Sequence, residues 1–531
     1  MSARLRIVCL ALLAAILPAA APREKSESAE LPKIFNEPMP LFTKGLGTFT
    51  RPISSADKEA RAYFNQGFQM MYAFAKQDAT RSFREAHKRD PNCAICFWGE
   101  AWSWGSYLNG PMSEKEAPHA YAAIQKAVKL AANHATPRER AFIEAMAVRY
   151  VEDFDPDKRL DQDKPYAEAM HGLSERFPDD LDAATLYGEA LFVMEPRRGE
   201  RDIHDPDVKR IHRVLEGVLE KDIRHPGACH LYIHATESTV DPGKAEACTE
   251  FIGNSIPGAS HINHMPSHTW NEIGRWGDSV RANIQAWHSD LKADVGEGFA
   301  IYPSHNLHML LFAASMDGQG AIAVQAGKDY AKLTGNVIYH LLTLIRFGRF
   351  DEVAAFSERP EEPVPAGVWD FAHGYARLRL GESEFARAHL KRLEETRYVP
   401  GKFRGHSACD LLGVLSGILE GELRREKGDI EGAIRVFAAA VRIDDTLVYD
   451  EPEPLPFAAR HWLGAALLEA KRYTEAEKTY RDELADHPHN GWSVFGLQQA
   501  LTAQGKREAE VDTDLEASWA RSDTWLRGSR F

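Results

Sequence analysis

At 531 residues, with 44% hydrophobic and 27% charged side chains, the chain carries enough apolar material for a large folded core, as two to four compact domains or one elongated repeat array. That composition excludes bulk disorder. Its 64 basic and 78 acidic residues leave a formal charge of -14, spread without any Lys/Arg-rich run, which argues against nucleic acid and anionic membrane surfaces as partners.

In chain order, the first element is a targeting signal. Arg4 and Arg6 precede an apolar run from Ile7 to Leu17, and small residues follow to Ala21, the three-part plan of a secretory signal peptide over 1–21. The run is too short to span a bilayer as a mature helix, and Cys9 lies inside it rather than at a lipoprotein cleavage point. The expectation is export to the periplasm or medium, with a mature chain from about Pro22 and no later membrane span. Residues 22–58 are proline-rich and predict an irregular arm.

Repeats come next. Gly67, Ala79, Phe83, Ala86 and Pro91 are spaced 12, 4, 3 and 5 apart, and Gly421, Ala433, Phe437, Ala440 and Asp445 repeat those spacings. Gly464, Ala476, Tyr480 and Pro488 begin a third copy. The spacing resembles the tetratricopeptide repeat (TPR), a 34-residue antiparallel helix pair in which small residues let the helices approach closely. Degenerate copies surround Gly99, Gly188, Ser267, Leu311, Leu341 and Gly374. Apolar residues at three- and four-residue intervals in ATRSFREAHKRDP and IEGAIRVFAAAVRIDD point to amphipathic helices independently of the resemblance, and no alternating strand pattern occurs. The expected fold is an all-α, right-handed TPR superhelix (α-solenoid) of about seven to nine helix pairs with a concave groove. Residues 59–330 form its N-terminal part and 331–515 its C-terminal part, with an irregular insert at 449–456 and a tail at 516–531.

Three stretches of the N-terminal part are rich in histidine: HPGACHLYIHATE from 225, HINHMPSH from 261 and YPSHNLH from 302. His264 follows His230 by 34 residues, and His268 follows His234 by 34. In repeat phase, His230, His234 and Glu237 take positions five, nine and twelve. His261, His264 and His268 take two, five and nine. After ten inserted residues, His305 and His308 take two and five. The TPR resemblance implies that these positions line the groove, on first helices about 8–10 Å apart. Seven histidines and one glutamate are therefore expected to converge. A lone groove histidine is usually a solvated polar residue, and repeat duplication can copy one. Other repeats, however, carry Phe64 and Phe68, Cys96 and Glu100, or Phe371 and Tyr375 at positions five and nine, so duplication does not explain histidine confined to the middle. His225, before Pro226, is either a further ligand or a helix cap.

Five cysteines follow the signal segment, and in an oxidising compartment an odd number leaves one over. Cys229 and Cys248 fall on neighbouring helices, which leaves a disulfide open. Cys93 and Cys96 are a disulfide, a soft-metal pair or buried thiols, on the same face as Glu100. Trp98, Trp102 and Trp104 read as packing.

The blocks GLGTFTRPISSADKEARAYFNQGFQMMYAF, RSFREAHKRDPNCAICFWGEA, HPGACHLYIHATE, HINHMPSH and YPSHNLH together resemble a family of exported bacterial TPR proteins. The resemblance implies the repeat fold and export, and no reaction. Two function classes stay open. One is a transition-metal site, copper or zinc, with His230, His234, His261, His264, His268, His305 and His308 as ligands, and with Glu237 as general base if the chain is a metal-dependent enzyme. The other is a non-catalytic scaffold for a peptide or small-molecule ligand in the groove. No HExxH pair, nucleophile triad, phosphate loop or dinucleotide fingerprint is present.

Overall fold

The computed structural model describes residues 31–195 and 199–531; the expected signal peptide lies outside them. The amphipathic segments form successive antiparallel helix couples, from Lys58–Tyr72 with Lys76–Arg89 to Gly491–Ala503 with Ala509–Trp519. Among the described residues the strands amount to Lys402–Phe403 paired with His406–Ser407. The fold is an all-α superhelix. The twelve couples among the described residues exceed the expected seven to nine, because long links such as 148–159, between Pro137–Ala147 and Leu160–Arg176, hide the repeat spacing. No helix among the described residues is long and apolar enough to cross a membrane.

The repeated spacings have a packing cause. Phe83 lies between Gly67 and Gly99, where an added Cβ would come within 3.0 and 2.4 Å of its ring. Tyr480 sits likewise between Gly464 and Gly496, at 2.4 and 2.2 Å. Only a residue without a side chain leaves room for the aromatic wedge between consecutive first helices.

Two apolar clusters form the core, one running from Met39 to Ile301 and the other from Trp276 to Leu501. The superhelix then turns back on itself. Trp276 Nε1 donates to the Pro488 carbonyl at 2.9 Å, and Trp492 Nε1 donates to the Ser315 carbonyl at 2.8 Å. The 516–531 segment is packed rather than free. Arg521 pairs with Asp317 at 2.6 Å, Arg530 with Glu422 at 3.0 Å, and Tyr375 donates its hydroxyl to the Phe531 carbonyl. At the other end the irregular arm is held by Tyr63, whose hydroxyl donates to the Met39 carbonyl at 2.9 Å, and by Gln66 and Gln69, which accept from the Phe42 and Gly47 amides.

Candidate metal centre

Three neighbouring first helices carry the histidine blocks. Pro226–Thr236 bears His230 and His234 and ends at Glu237; Ser260–His264 and Pro266–Glu272 together bear His261, His264 and His268; Pro303–Met316 bears His305 and His308. Proline opens the helices at 226, 266 and 303, where its missing N–H removes no helical hydrogen bond. His225 is a cap: its Nδ1 accepts from the Ala228 amide at 3.1 Å, while its Nε2 lies 3.2 Å from Asp182.

Six of the seven histidines converge, as two triads. The ligand atoms of His230, His234 and His261 lie within 4.8 Å of one another, and so do those of His264, His268 and His305. Within the first triad the Nε2 atoms of His230 and His261 are 3.1 Å apart; within the second, those of His264 and His268 are 3.3 Å apart. Two nitrogens bound at about 2.0 Å to one tetrahedral ion stand about 3.3 Å apart, so each pair has the length of one coordination edge. The triads adjoin, with His234 and His268 rings 5.0 Å apart and His261 and His264 rings 4.9 Å apart.

The opposite ring nitrogens are held by acceptors. His230 Nδ1 donates to the Tyr72 carbonyl at 2.6 Å, and His234 Nδ1 donates to Glu237 Oε1 at 2.8 Å. His268 Nδ1 stands 2.5 Å from the other oxygen, Oε2. One carboxylate thus reaches into both triads, and a proton kept on Nδ1 leaves Nε2 as the basic atom that a metal takes. Burial pushes the Glu237 carboxyl upward, yet His268 and His234 hold it well below the usual carboxylate range. Burial first, and neighbouring imidazoles second, hold His261 and His264 well below the ordinary imidazole value, the deprotonated state that metal binding requires.

The site is an enclosed chamber rather than the open groove expected. His230, His234, His261, His264 and His268 are each at most 2% exposed. On one side Phe74 covers the first triad, its ring 4.1 Å from that of His230, and Tyr302 packs edge-on to His261 at 5.1 Å. Tyr107 joins them, edge-on to Phe74 and with its hydroxyl 2.9 Å from that of Tyr302. Phe74 and Tyr302 both have left-handed backbones, φ 59° and 57°, which bulky residues rarely adopt. The irregular 449–456 insert closes the other side and brings Glu451 within 4.8 Å of His234, Glu237 and His268. Beyond it lies a cavity of about 1090 Å³ whose wall includes Glu237, Glu272, Tyr449 and Glu453; ten carboxylates and two arginines line it. Glu453, Asp486 and His487 form a separate ligand-like group on that wall.

His308 does not join the triads. Its ring stacks on Tyr339 at 4.1 Å, and its Nδ1 lies 3.4 Å from the Tyr339 hydroxyl. The insert that shifts the repeat phase delivers His305 to the centre and leaves His308, three residues later, against the next couple. Glu451 and Phe74 were not legible as site residues. Phe74 did leave a signal: it fills a turn position where later couples have Gly274, Gly318, Gly348, Gly381 and Gly428.

Both open cysteine questions have answers. Cys93–Cys96 and Cys229–Cys248 are disulfides, and among the described residues Cys409 is the free thiol. Glu100 pairs with Arg84 and His87, while Trp98, Trp102 and Trp104 are core residues.

No family model and no curated protein sequence matches the chain. Among solved structures it is similar to the APC/C hetero-tetramer Cut9-Hcn1, at 13% identity over 89% of this chain and 78% of that one, with a TM-score of 0.30. The human IFIT1 dimer with m7Gppp-AAAA gives 10% identity over 88% and 96%, TM-score 0.30. The P58(IPK) TPR domain gives 10% over 85% and 99%, TM-score 0.21. Likeness at this level carries no function across.

Proposed function

We propose that this chain is an exported TPR-type solenoid that holds transition-metal ions, copper or zinc, in its interior. The observation that carries the reading is the paired donor geometry: two imidazole edges of 3.1 and 3.3 Å, with the far ring nitrogens of His230, His234 and His268 turned to a carbonyl and a shared carboxylate. His230, His234, His261, His264, His268 and His305 are the proposed ligands. His308 is assigned to the Tyr339 contact. Glu237, with an imidazole on each oxygen, is assigned to orienting His234 and His268 in place of the general-base role.

Other features support the reading. The carboxylate-rich cavity that reaches Glu237 has a field that draws cations inward. The two disulfides fit the export expected from residues 1–21. An enclosed centre suits a metal ion or a small molecule better than a peptide, and residues 530–531 already occupy first-helix faces of the C-terminal half, at Glu422 and Tyr375. Elemental analysis of untagged protein from an exported fraction is the test. Bound copper or zinc is expected, and protein that neither carries nor takes up either metal would refute the proposal.

A further inference from the structure

The proposed metal site has a feature that a single-ion centre does not need: six imidazoles divided three and three. Resting on that reading, we infer that the triads hold two copper ions as one coupled pair, and that the ligand of the pair is dioxygen. His230, His234 and His261 take one ion; His264, His268 and His305 take the other.

Number comes from geometry. An ion with three protein ligands retains an open position, and two ions that share a small ligand stand about 3.5–4 Å apart. Each triad supplies three donors, and the contacts between triads, with ring centroids 4.9 and 5.0 Å apart, set the two centres side by side. Glu237 fastens His234 of one triad and His268 of the other, so the spacing between the ions is fixed by one buried carboxylate.

Identity comes from charge. The six imidazoles are neutral ligands, and the carboxylates next to them are Glu237 and Glu451. Two copper(I) ions bring two positive charges, which those two carboxylates match. Two zinc ions would bring four positive charges among six imidazoles that are buried or half-buried, against the two carboxylates that adjoin them, and unmatched buried charge is strongly disfavoured. Copper(I) also accepts three imidazoles without a fourth ligand.

The choice of dioxygen follows from electron count and access. Each copper(I) gives one electron, so 2 Cu(I) + O2 becomes 2 Cu(II) with dioxygen reduced to the peroxide level. No proton is taken up, no further reductant is needed, and the net charge in the chamber is unchanged. Phe74, Tyr107 and Tyr302 pack over the first triad, and against that aromatic wall an uncharged diatomic gives up no hydration that a charged ligand would have to lose.

The test uses the full mature chain, loaded with copper(I) under argon and then exposed to air. Two coppers per chain are expected, with a new near-ultraviolet absorption on aeration and little or no cupric electron paramagnetic resonance, because coupled Cu(II) spins cancel. One copper per chain, or two that give the full resonance of isolated cupric ions, overturns the pair while leaving the metal site standing. Zinc retained where copper is not also overturns it. His305→Ala should drop the content to one copper and restore a full resonance; the stoichiometry of the unaltered chain stands as a test even if that variant does not fold.

Discussion

His268 lies 34 residues after His234, and the two imidazoles point their Nδ1 atoms at opposite oxygens of Glu237, at 2.5 and 2.8 Å. One repeat length has therefore placed two ligands symmetrically about a single carboxylate. Changing both histidines to Ala should abolish metal uptake. It also strands Glu237, which is 1% exposed, without a partner, a loss of about 3–5 kcal/mol. Adding Glu237→Gln removes the stranded charge and should return about 2 kcal/mol without restoring metal. Denaturant melts of the double and triple variants check this, and equal stability would show that Glu237 is not the charged partner.

Bound metal should stabilise the fold because it joins three couples that are otherwise linked by helix packing. An ion that binds the native state alone adds about 2.7 kcal/mol at a free concentration one hundred times its dissociation constant. Chelator-treated protein should melt at a lower temperature than metal-loaded protein and recover on readdition. Identical melting curves would count against an interior site.

The 34-residue columns made His230 with His264, and His234 with His268, legible as neighbours, since repeats stack in phase. Their burial was not legible. It depends on the chain returning after 212 and 177 residues, as the Trp276–Pro488 and Trp492–Ser315 contacts show, and on the insert that brings Glu451. Periodicity describes one couple against the next and carries no information about such closure. His308 was misplaced for a related reason, because counting positions after an insert assigns a face without saying which partner, here Tyr339, will take it.

The metal-free protein should lose stability in mild acid. His261, His264, His308 and His461 are held well below the ordinary imidazole value, chiefly by burial, and His373 is brought down to about 4 by burial and by His389. As pH falls through about 6.5, the unfolded chain takes up protons that the folded chain refuses, so stability present above that pH is lost toward about 4. His119, His212 and His340 are lowered by burial as well. His487 and His489, raised by neighbouring carboxylates, and the carboxyls of Asp290, Asp444 and Glu272, raised by burial to about 6, about 7 and well above the usual range, act in the opposite sense against these eight imidazoles. Melting temperatures of apo protein from about pH 7.5 down to 5 should fall steadily; a flat or rising series would contradict neutral buried imidazoles.

The Cys229–Cys248 disulfide closes a loop of sequence separation 19 and anchors the Pro226–Thr236 helix, which carries His230 and His234. Replacing both cysteines with Ser should cost about 3 kcal/mol and weaken metal binding, because two ligands of one triad lose their tether. Denaturation and metal titration of the variant, with the Cys93–Cys96 pair replaced as a control for the centre, separate the two effects. Weakened binding in the control but not in Cys229/Cys248 would reverse the assignment.

Phe74 and Lys471 occupy equivalent turns with the same left-handed backbone, φ 59° in each, but only Phe74 touches the centre. At Lys471, which is exposed, replacement by Gly removes backbone strain and loses no packing, so Lys471→Gly should stabilise by about 0.5–1 kcal/mol and leave metal exchange unchanged. Phe74→Gly gains the same relief but loses a buried ring worth about 3–5 kcal/mol, for a net loss of about 2–4 kcal/mol. The cap over His230 also opens, so metal should exchange with an external chelator several-fold faster than in the parent. The retained strain is then explained by what the ring covers. If Phe74→Gly exchanges metal no faster than Lys471→Gly, the aromatic cap does not control access to the triads.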